Sequence, residues 1–562
     1  MRIALAQLNY HIGDFENNIA KIISYIHKAK SLNADIVLFS ELAICGYPPR
    51  DFLEFNDFII KSQYGVLSVA RESKTIAVIV GAPSVNPSGK GKPLYNSAYF
   101  LVGGKIKAVF HKTLLPNYDV FDEYRYFEPN RMPYSLAGYK RQKFAVTICE
   151  DLWNIADDPL YVRNPMDELT RLHPGFGINI AASPFHYDQP KLRREVLVRN
   201  AKKYNLPFFY LNHVGGQTEL LFDGGSMVVD AKGNIFDEMK YFEEDFRVYD
   251  LDDVNKKQKI HRKVDAKTLS KIELNREDVK TPGKIELIHD ALVMGIKDYF
   301  GKMGLKTAIL GLSGGIDSAV TLVLAARALG SENVLAILLP SRFSSEHSKK
   351  DAIELADRIN VKYDIIKIDE AYAAFEDLLN PWFKELPFNL TEENIQARAR
   401  AVILMALSNK FGYILLNTSN KSEAAVGYGT LYGDMCGGIS VLGDVYKSQV
   451  YELAAYINRK KEIIPQNSID KPPSAELRPG QKDSDSLPDY SLLDKILYEY
   501  IELRKGPNEL IREGFDEAIV KRVLKLVNTS EYKRNQTPPI LRVSPKAFGT
   551  GRRMPIVGKY LS

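Results

Sequence analysis

From residue 1 to about residue 250 short apolar runs recur between polar and turn-forming stretches: IALAQL, DIVLFSEL, TIAVIVGAP, SAYFLV, FAVTIC, GINIAAS, PFFYLNH and GSMVVDAKG. Runs of this length, rich in Val, Ile, Phe and Tyr, predict strands, and the helical stretches and loops between them predict an α/β layered domain over residues 1–251. The pattern then breaks. DDVNKKQKIHRKVDAKTLSKIELNREDVKTP is poor in apolar positions, dense in charge and closed by proline, which predicts a charged linker over 252–284. Beyond it, IELIHDALVMGIKDYFGKMG has apolar residues at helical spacing. Strand TAILGLS, helix SAVTLVLAARALG, strand VLAILLP, helix SKKDAIELADRIN and strand KYDIIKI follow in turn. This alternation predicts a doubly wound parallel sheet in a second domain over 285–562, with its ligand crevice at the carboxyl ends of the strands. The Pro- and acid-rich DKPPSAELRPGQKDSDSLPDY reads as a long functional loop inside that domain.

Composition narrows the reading. A chain of 562 residues is too long for one core, and 45% hydrophobic with 26% charged residues is ordinary for a globular protein. No apolar run approaches the roughly 20 residues of a membrane helix. MRIALAQLNYHIGDFENN lacks the basic, apolar and small-residue segments of a secretory leader, so cytoplasmic residence is expected. The three cysteines, Cys45, Cys149 and Cys436, form no CxxC pair and indicate neither a disulfide framework nor a zinc site. With 75 basic against 70 acidic residues the net charge is +5, which makes no case for nucleic acid or membrane partners.

The chemistry concentrates in two places. In GLSGGIDS, comprising Gly311, Leu312, Ser313, Gly314, Gly315, Ile316, Asp317 and Ser318, the glycines free the backbone and a helix follows, an arrangement whose N–H groups can enclose phosphate. The GxxxxGK[ST] arrangement is missing, which argues against transfer of a γ-phosphoryl group, and Asp317 could hold Mg²⁺ through oxygen. In the first domain FAVTICEDLW delivers Cys149 at a strand end, DIVLFSELAICGYPPRD delivers Glu41, and KAVFHKTLLPNYDVFDEYRYF delivers Lys112. A carboxylate can take the thiol proton, and an ammonium can stabilise a thiolate and an oxyanion.

These strings carry resemblances. SGGIDS matches the pyrophosphate-binding signature of the ATP pyrophosphatases. Together with LLNTSNKSEAAVGYGTLYGDMCGGISVLGDVYKSQVYELA, KPPSAELRPGQKDSDSLPDY and EYKRNQTPP, it makes the region from about residue 286 to the end resemble the NAD synthetase family, of the adenine nucleotide α-hydrolase-like fold. The resemblance implies ATP contacts at Gly311–Ser318, Thr418, Lys447 and Ser474. It implies deamido-NAD contacts at Asn394, Arg398, Asp434 and Lys533, and a metal or deamido-NAD ligand at Glu423 beside the metal ligand Asp317. Glu, Lys and Cys in that chain order, with ALAQLN, FSELAICGYPP, KTLLPNYDVFDEYRYF and ICEDLW, resemble the glutaminase branch of the nitrilase superfamily, an αββα sandwich.

There the resemblance implies Glu41, Lys112 and Cys149 as the catalytic set and Tyr118 and Ser183 as glutamine contacts. Six residues after the serine, where the family has lysine, stands Gln189, so the substrate-carboxylate contact passes to Lys191; Glu123 is either a second acid of the pocket or a loop charge. The combined expectation is a homo-oligomeric amidotransferase that frees ammonia from glutamine and amidates deamido-NAD with ATP and Mg²⁺. Two alternatives stand beside it: a carbon–nitrogen hydrolase with a regulatory nucleotide-binding half, and a non-catalytic nucleotide sensor.

Overall fold

The computed structural model describes residues 1–256, 282–384 and 386–559, so most of the expected linker, 257–281, lies outside the described residues. The chain divides into two compact units that succeed one another at Pro282 and Gly283.

The first unit holds two six-stranded sheets. One runs, in spatial order, Asp245–Asp250, Arg2–Gln7, Ile36–Leu38, Ala77–Val85, Leu94–Val102, Lys105–His111; the other runs Ile235–Glu238, Met227–Val229, Phe208–Leu211, Phe176–Ile180, Gln142–Ile148, Ala137–Tyr139. Side chains alternate faces along a strand. Accordingly Ile3, Leu5, Ile79 and Phe100 join Phe144, Ile148, Phe176 and Ile178 in one core between the sheets, while Ala4, Ala6, Val78, Val80 and Leu101 pack in a second core with Ile22, Ile26, Val66 and Val69 of helices Phe15–Ser31 and Asn56–Glu72. Helix Gln189–Tyr204 adds Leu197 and Ala201 on the side of the second sheet, completing an αββα sandwich. Because the first sheet is covered on both faces, its central strands are unbroken apolar runs. Several strands escaped the sequence reading, among them Asp245–Asp250, an edge strand whose sequence is half-exposed and interrupted by charge.

The second unit is built on a five-stranded, all-parallel sheet in the spatial order Lys362–Ile365, Val334–Leu338, Ala308–Gly311, Ile414–Asn417, Ile439–Ser440. The strand order reverses between Ala308–Gly311 and Ile414–Asn417. That topological switch point opens a crevice at the carboxyl ends of both strands. A separate cluster gathers helices Tyr490–Ile501, Pro507–Arg512 and Glu517–Thr529 against Lys421–Val426. Among the described residues, no helix is long and apolar enough to cross a membrane.

One close approach ties the first unit's fold to its chemistry. The strand Ala77–Val85 passes so near the turn after Leu38 that a Cβ on Gly81 would lie 2.3 Å from the Leu42 nitrogen and 2.6 Å from the Ser40 carbonyl oxygen. Gly81 N–H in fact donates to Ser40 O at 3.2 Å. Gly81→Ala is therefore expected to push the Ser40–Leu42 backbone away and to destabilise the protein by about 1–3 kcal/mol through overpacking. A thermal melt unchanged from wild type would show that the turn yields freely.

Candidate functional sites

In the first unit Glu41, Lys112 and Cys149 each follow the end of a strand: Ile36–Leu38, Lys105–His111 and Gln142–Ile148. All three are buried, Lys112 at 0% and Cys149 at 4% exposure. The Lys112 ammonium lies between two carboxylates, with Nζ 2.7 Å from Glu41 Oε1 and 2.8 Å from Glu123 Oε1. Asn96 Nδ2 donates to Glu41 Oε1 at 2.7 Å and to Glu123 Oε2 at 3.3 Å, Ala182 N–H donates to Glu41 Oε2 at 2.9 Å, and Tyr47 OH donates to Glu123 Oε1 at 2.9 Å. Every one of the four carboxylate oxygens is thus engaged.

Burial pushes the Glu41 carboxyl up to about 7, against the pull of Lys112, with Glu123 adding to the rise. The two acids hold Lys112 well above its ordinary value despite the loss of water. The Cys149 thiol is pushed well up by burial and then by Glu41, with Lys112 acting the other way, so it rests protonated. Cys149 also sits at φ +41°, a left-handed conformation that costs a non-glycine residue about 1–3 kcal/mol. The two acids behind it hold the turn. Asp151 accepts from the backbone N–H groups of Thr113 (3.0 Å), Leu114 (2.9 Å) and Ile148 (3.1 Å), fastening the segment after Lys112 to the strand that carries the thiol. Glu150 accepts from Tyr118 OH at 2.8 Å and from Tyr161 OH at 3.0 Å, and burial lifts it to about 6.

Ser183 N–H donates to Asn212 Oδ1 at 2.9 Å, and its Oγ accepts from Gln189 Nε2 at 3.0 Å. The structure does not bring Lys191 to this group. Gln189 and Lys191 lie two residues apart on helix Gln189–Tyr204, hence on opposite faces at 100° per residue; Gln189 is buried, whereas Lys191 is exposed. The side chain facing Ser183 is the glutamine itself.

In the second unit the glycine loop leaves strand Ala308–Gly311 and opens helix Ile316–Leu329. Gly314 has φ +79°, and a Cβ there would lie 2.1 Å from the Ser348 carbonyl oxygen, so only glycine fits. Gly315 caps the helix with no side chain, leaving its first N–H groups to an external acceptor. Ser313 and Ser318 hold the turn, their hydroxyls 3.1 Å apart and Ser318 Oγ donating to Gly315 O at 3.0 Å. The loop borders a cavity of about 270 Å³ at the switch point. Ile337, Leu339, Leu404 and Leu415 make its apolar wall; Gly311, Leu312, Ser313, Thr418, Asp434 and Ser474 are among its other lining residues.

Beside the loop lies a second lysine between carboxylates. Lys447 Nζ is 2.5 Å from Asp317 Oδ2 and 3.6 Å from Glu423 Oε1, and Asn420 Nδ2 donates to Asp317 Oδ1 at 2.9 Å. Burial, then Asp317, pushes Glu423 up to about 8. Among the described residues no group of three or more His, Cys, Asp or Glu side chains could hold a metal ion by itself. Two half-buried carboxylates on one crevice fit Mg²⁺, which takes one or two protein carboxylates and completes its shell with water and substrate phosphate.

Asn394, Arg398 and Lys533 converge on one loop, 427–436, which itself carries Asp434. Asn394 Oδ1 accepts from Thr430 Oγ1 at 2.7 Å, Asp434 Oδ1 from Thr430 N–H at 2.6 Å, and the carbonyl of Leu431 from Arg398 Nε at 3.2 Å. Lys533 Nζ donates to the carbonyls of Gly427 and Gly429 at 2.7 and 2.8 Å.

Comparison with known proteins divides the chain between two families: carbon-nitrogen hydrolase over residues 2–257 and NAD synthase over 288–537. A glutamine-dependent NAD(+) synthetase of a Synechocystis species is 43% identical over 99% of this chain and 98% of its own. The chain belongs to the glutamine-dependent NAD(+) synthetase family. A synthetase of that family from Thermotoga maritima is 40% identical over 100% of this chain and 99% of its own. Among solved structures, the glutamine-dependent NAD+ synthetase of Acinetobacter baumannii, in complex with adenosine diphosphate, matches with a TM-score of 0.77 and 38% identity over 99% of this chain and 98% of its own.

Several residues of these two synthetase-family sites have no sequence signal. Asn96 and Tyr47 sit within runs that read as plain strand or loop, and Ala182 contributes only its backbone. Arg400 lines the second cavity and donates from Nε to Leu339 O at 3.0 Å; burial lowers it to about 10. Helical spacing from Gln396, which is buried and donates to Leu477 O, would have found Arg400 on the same face.

The raised Glu41 gives a direct check. Burial holds its carboxyl up at about 7, so the carboxylate form prevails only above that value. Alkylation of Cys149 by iodoacetamide, followed by peptide mass spectrometry so that Cys45 and Cys436 are resolved, is expected to accelerate as pH rises through that value and to lose this step in Glu41→Gln. Equal pH profiles for the two proteins would remove Glu41 from the thiol's proton path.

Proposed function

We propose that the first unit hydrolyses glutamine and that the second spends ATP to amidate deamido-NAD, giving NAD, AMP, pyrophosphate and glutamate. The observation that carries this reading is the pairing, in one chain, of a buried thiol with an acid and an ammonium beside it and a phosphate-type glycine loop without a Walker lysine. We assign glutamine hydrolysis to residues 1–251, the linker to 252–284 and synthesis to 285–562.

At the first site Glu41 takes the proton of Cys149 as sulfur bonds to the amide carbon of glutamine. Lys112 stabilises the oxyanion. The same proton passes from Glu41 to the amide nitrogen, the C–N bond breaks, and ammonia leaves a thioester. Glu41 then draws a proton from water, whose oxygen attacks the thioester; glutamate departs and the thiol is restored. Glu123 and Asn96 hold Lys112 and Glu41 in register, and Tyr118, Ser183 and Gln189 form the substrate's polar surround.

At the second site the loop from Gly311 to Ser318, with Thr418, Lys447 and Ser474, receives ATP; Asn394, Arg398, Asp434 and Lys533 receive deamido-NAD. The nicotinate carboxylate attacks the α-phosphorus, pyrophosphate leaves, and ammonia displaces AMP from the acyl carbon with loss of a proton. Mg²⁺ held by Asp317 and Glu423 would neutralise phosphate charge. Fresh ammonia matters because free ammonia in neutral water is mostly ammonium, which has no lone pair to attack with. The reading includes a homo-oligomer acting in the cytoplasm, and light scattering should then give a mass above the 63.5 kDa of one chain.

Cys149→Ala is expected to abolish NAD formation from glutamine while sparing formation from ammonium chloride at high pH. Asp317→Ala and Glu423→Ala are expected to abolish both, with AMP and not ADP tracking NAD in the wild type. Glutamine-driven synthesis surviving in Cys149→Ala, or ADP as product, would overturn the corresponding half.

A further inference from the structure

Behind the Glu41–Lys112 pair, on the far face of the same sheet, runs a short polar chain that the chemistry above does not use. Ser84 Oγ lies 2.7 Å from Ser97 Oγ, and Ser97 Oγ lies 2.7 Å from Nδ1 of His111, which is 3.5 Å from Ser84 Oγ. The three residues stand on three adjacent strands, Ala77–Val85, Leu94–Val102 and Lys105–His111, with Ser97 directly opposite His111. Tyr95 stacks on the imidazole at 4.2 Å between ring centroids.

Strand parity says which way each side chain faces. Val78, Val80 and Ala82, Tyr99 and Leu101, and Val109 belong to the core under the helices, whereas Ile79, Ala98, Phe100, Ala108 and Phe110 belong to the core between the sheets, together with Cys149. By alternation Ser84, Ser97 and His111 face the helix layer. Their chain neighbours Asn96 and Lys112 face the opposite way, toward the thiol. These two are the groups that meet on Glu41 Oε1, each at 2.7 Å, and Lys112 N–H donates to Asn96 O at 2.8 Å, which extends the same pairing by one residue. Lys112 has left its strand, so the last fixed point before it is His111. A slip of one residue there would turn the ammonium to the wrong face. Burial keeps the imidazole's pKa down at about 4, so at neutral pH the ring is uncharged and can sit against two hydroxyls and a phenol ring without a counter-ion.

We infer that the Ser97–His111 hydrogen bond is a positioning device that sets the register of Lys112 and Asn96 on Glu41 from behind the sheet. This rests on the reading of Glu41, Lys112 and Cys149 as the glutamine-hydrolysing set. The test compares glutamate release by the full chain as wild type, His111→Phe, His111→Asn, Ser97→Ala and Cys149→Ala, with ammonium-driven NAD synthesis and a thermal melt for each. His111→Phe keeps an aromatic ring on Tyr95 and removes only the hydrogen bond; His111→Asn returns a polar atom near the place of Nδ1.

The expected result is a kcat for glutamine hydrolysis lowered roughly 10- to 100-fold in His111→Phe and Ser97→Ala, the scale on which small misplacements of reacting groups act. KM for glutamine and ammonium-driven synthesis should stay near wild type, and His111→Asn should recover most of kcat. The double variant His111→Phe/Ser97→Ala should be no worse than either single one, since both remove one shared contact. Wild-type kcat in both single variants, with Cys149→Ala inactive, would overturn the positioning role alone. Glutamate release by Cys149→Ala would overturn the underlying site. Equal falls in both activities with a lowered melt would show a merely structural contact.

Discussion

An ammonium stripped of water survives only where carboxylates take the water's place, and each unit arranges its chemistry around one. Lys112 lies between Glu41 and Glu123, and Lys447 between Asp317 and Glu423. Desolvation costs several kcal/mol per ion, and removing one partner of a buried set costs about 3–5 kcal/mol because the remainder is left unpaired. The same competition sets the proton affinities. Burial raises the acids and one shared cation offsets it only in part: Glu41 rises to about 7 and Glu423 to about 8. A carboxyl poised near neutrality is what a proton carrier requires, whereas one that gains from further positive charge is what a metal-dependent site requires. On the function proposed above, one local motif serves two kinds of chemistry, according to what each crevice admits beside it.

An α/β layered first domain and the doubly wound sheet of the second were legible because their central strands are covered on both faces and so read as unbroken apolar runs; the αββα arrangement itself came with the resemblance to the nitrilase superfamily. The edge strand Asp245–Asp250 was not, since exposure lets charge interrupt it: in DFRVYD every residue but Tyr249 is half-buried. Glu41, Lys112 and Cys149 could be named from sequence because each follows closely on a strand, in strings that resemble the nitrilase superfamily, and strand ends meet at one edge of a sheet. Asn96 could not. It lies inside the strand Leu94–Val102, and nothing local marks it as the partner of a glutamate fifty-five residues upstream.

The departure at Lys191 has a geometric cause. A position two residues along is close in sequence but faces the other side of a helix, so the charge that the resemblance passed from position 189 to Lys191 stands in solvent, and Gln189 faces Ser183. The glycines of the second loop were legible as a class. Their individual demands became visible only with Ser348 in place, because the residue that excludes a Cβ at Gly314 comes from the helix Glu346–Arg358, beyond the next strand.

The all-parallel sheet of the second unit carries a consequence for how the protein is made. Its central strand, Ala308–Gly311, pairs on one side with Val334–Leu338 and on the other with Ile414–Asn417. No hairpin can close either pairing, so each waits for a crossover to be synthesised. At ribosomal rates of about 5–20 residues per second, the second edge of that strand stays open for roughly 5–20 seconds after the first can form. For that interval a nascent chain presents an apolar strand edge to its surroundings or to any chaperone that reaches it. The order of strands that creates the nucleotide crevice therefore also leaves this strand edge open to misassembly during synthesis.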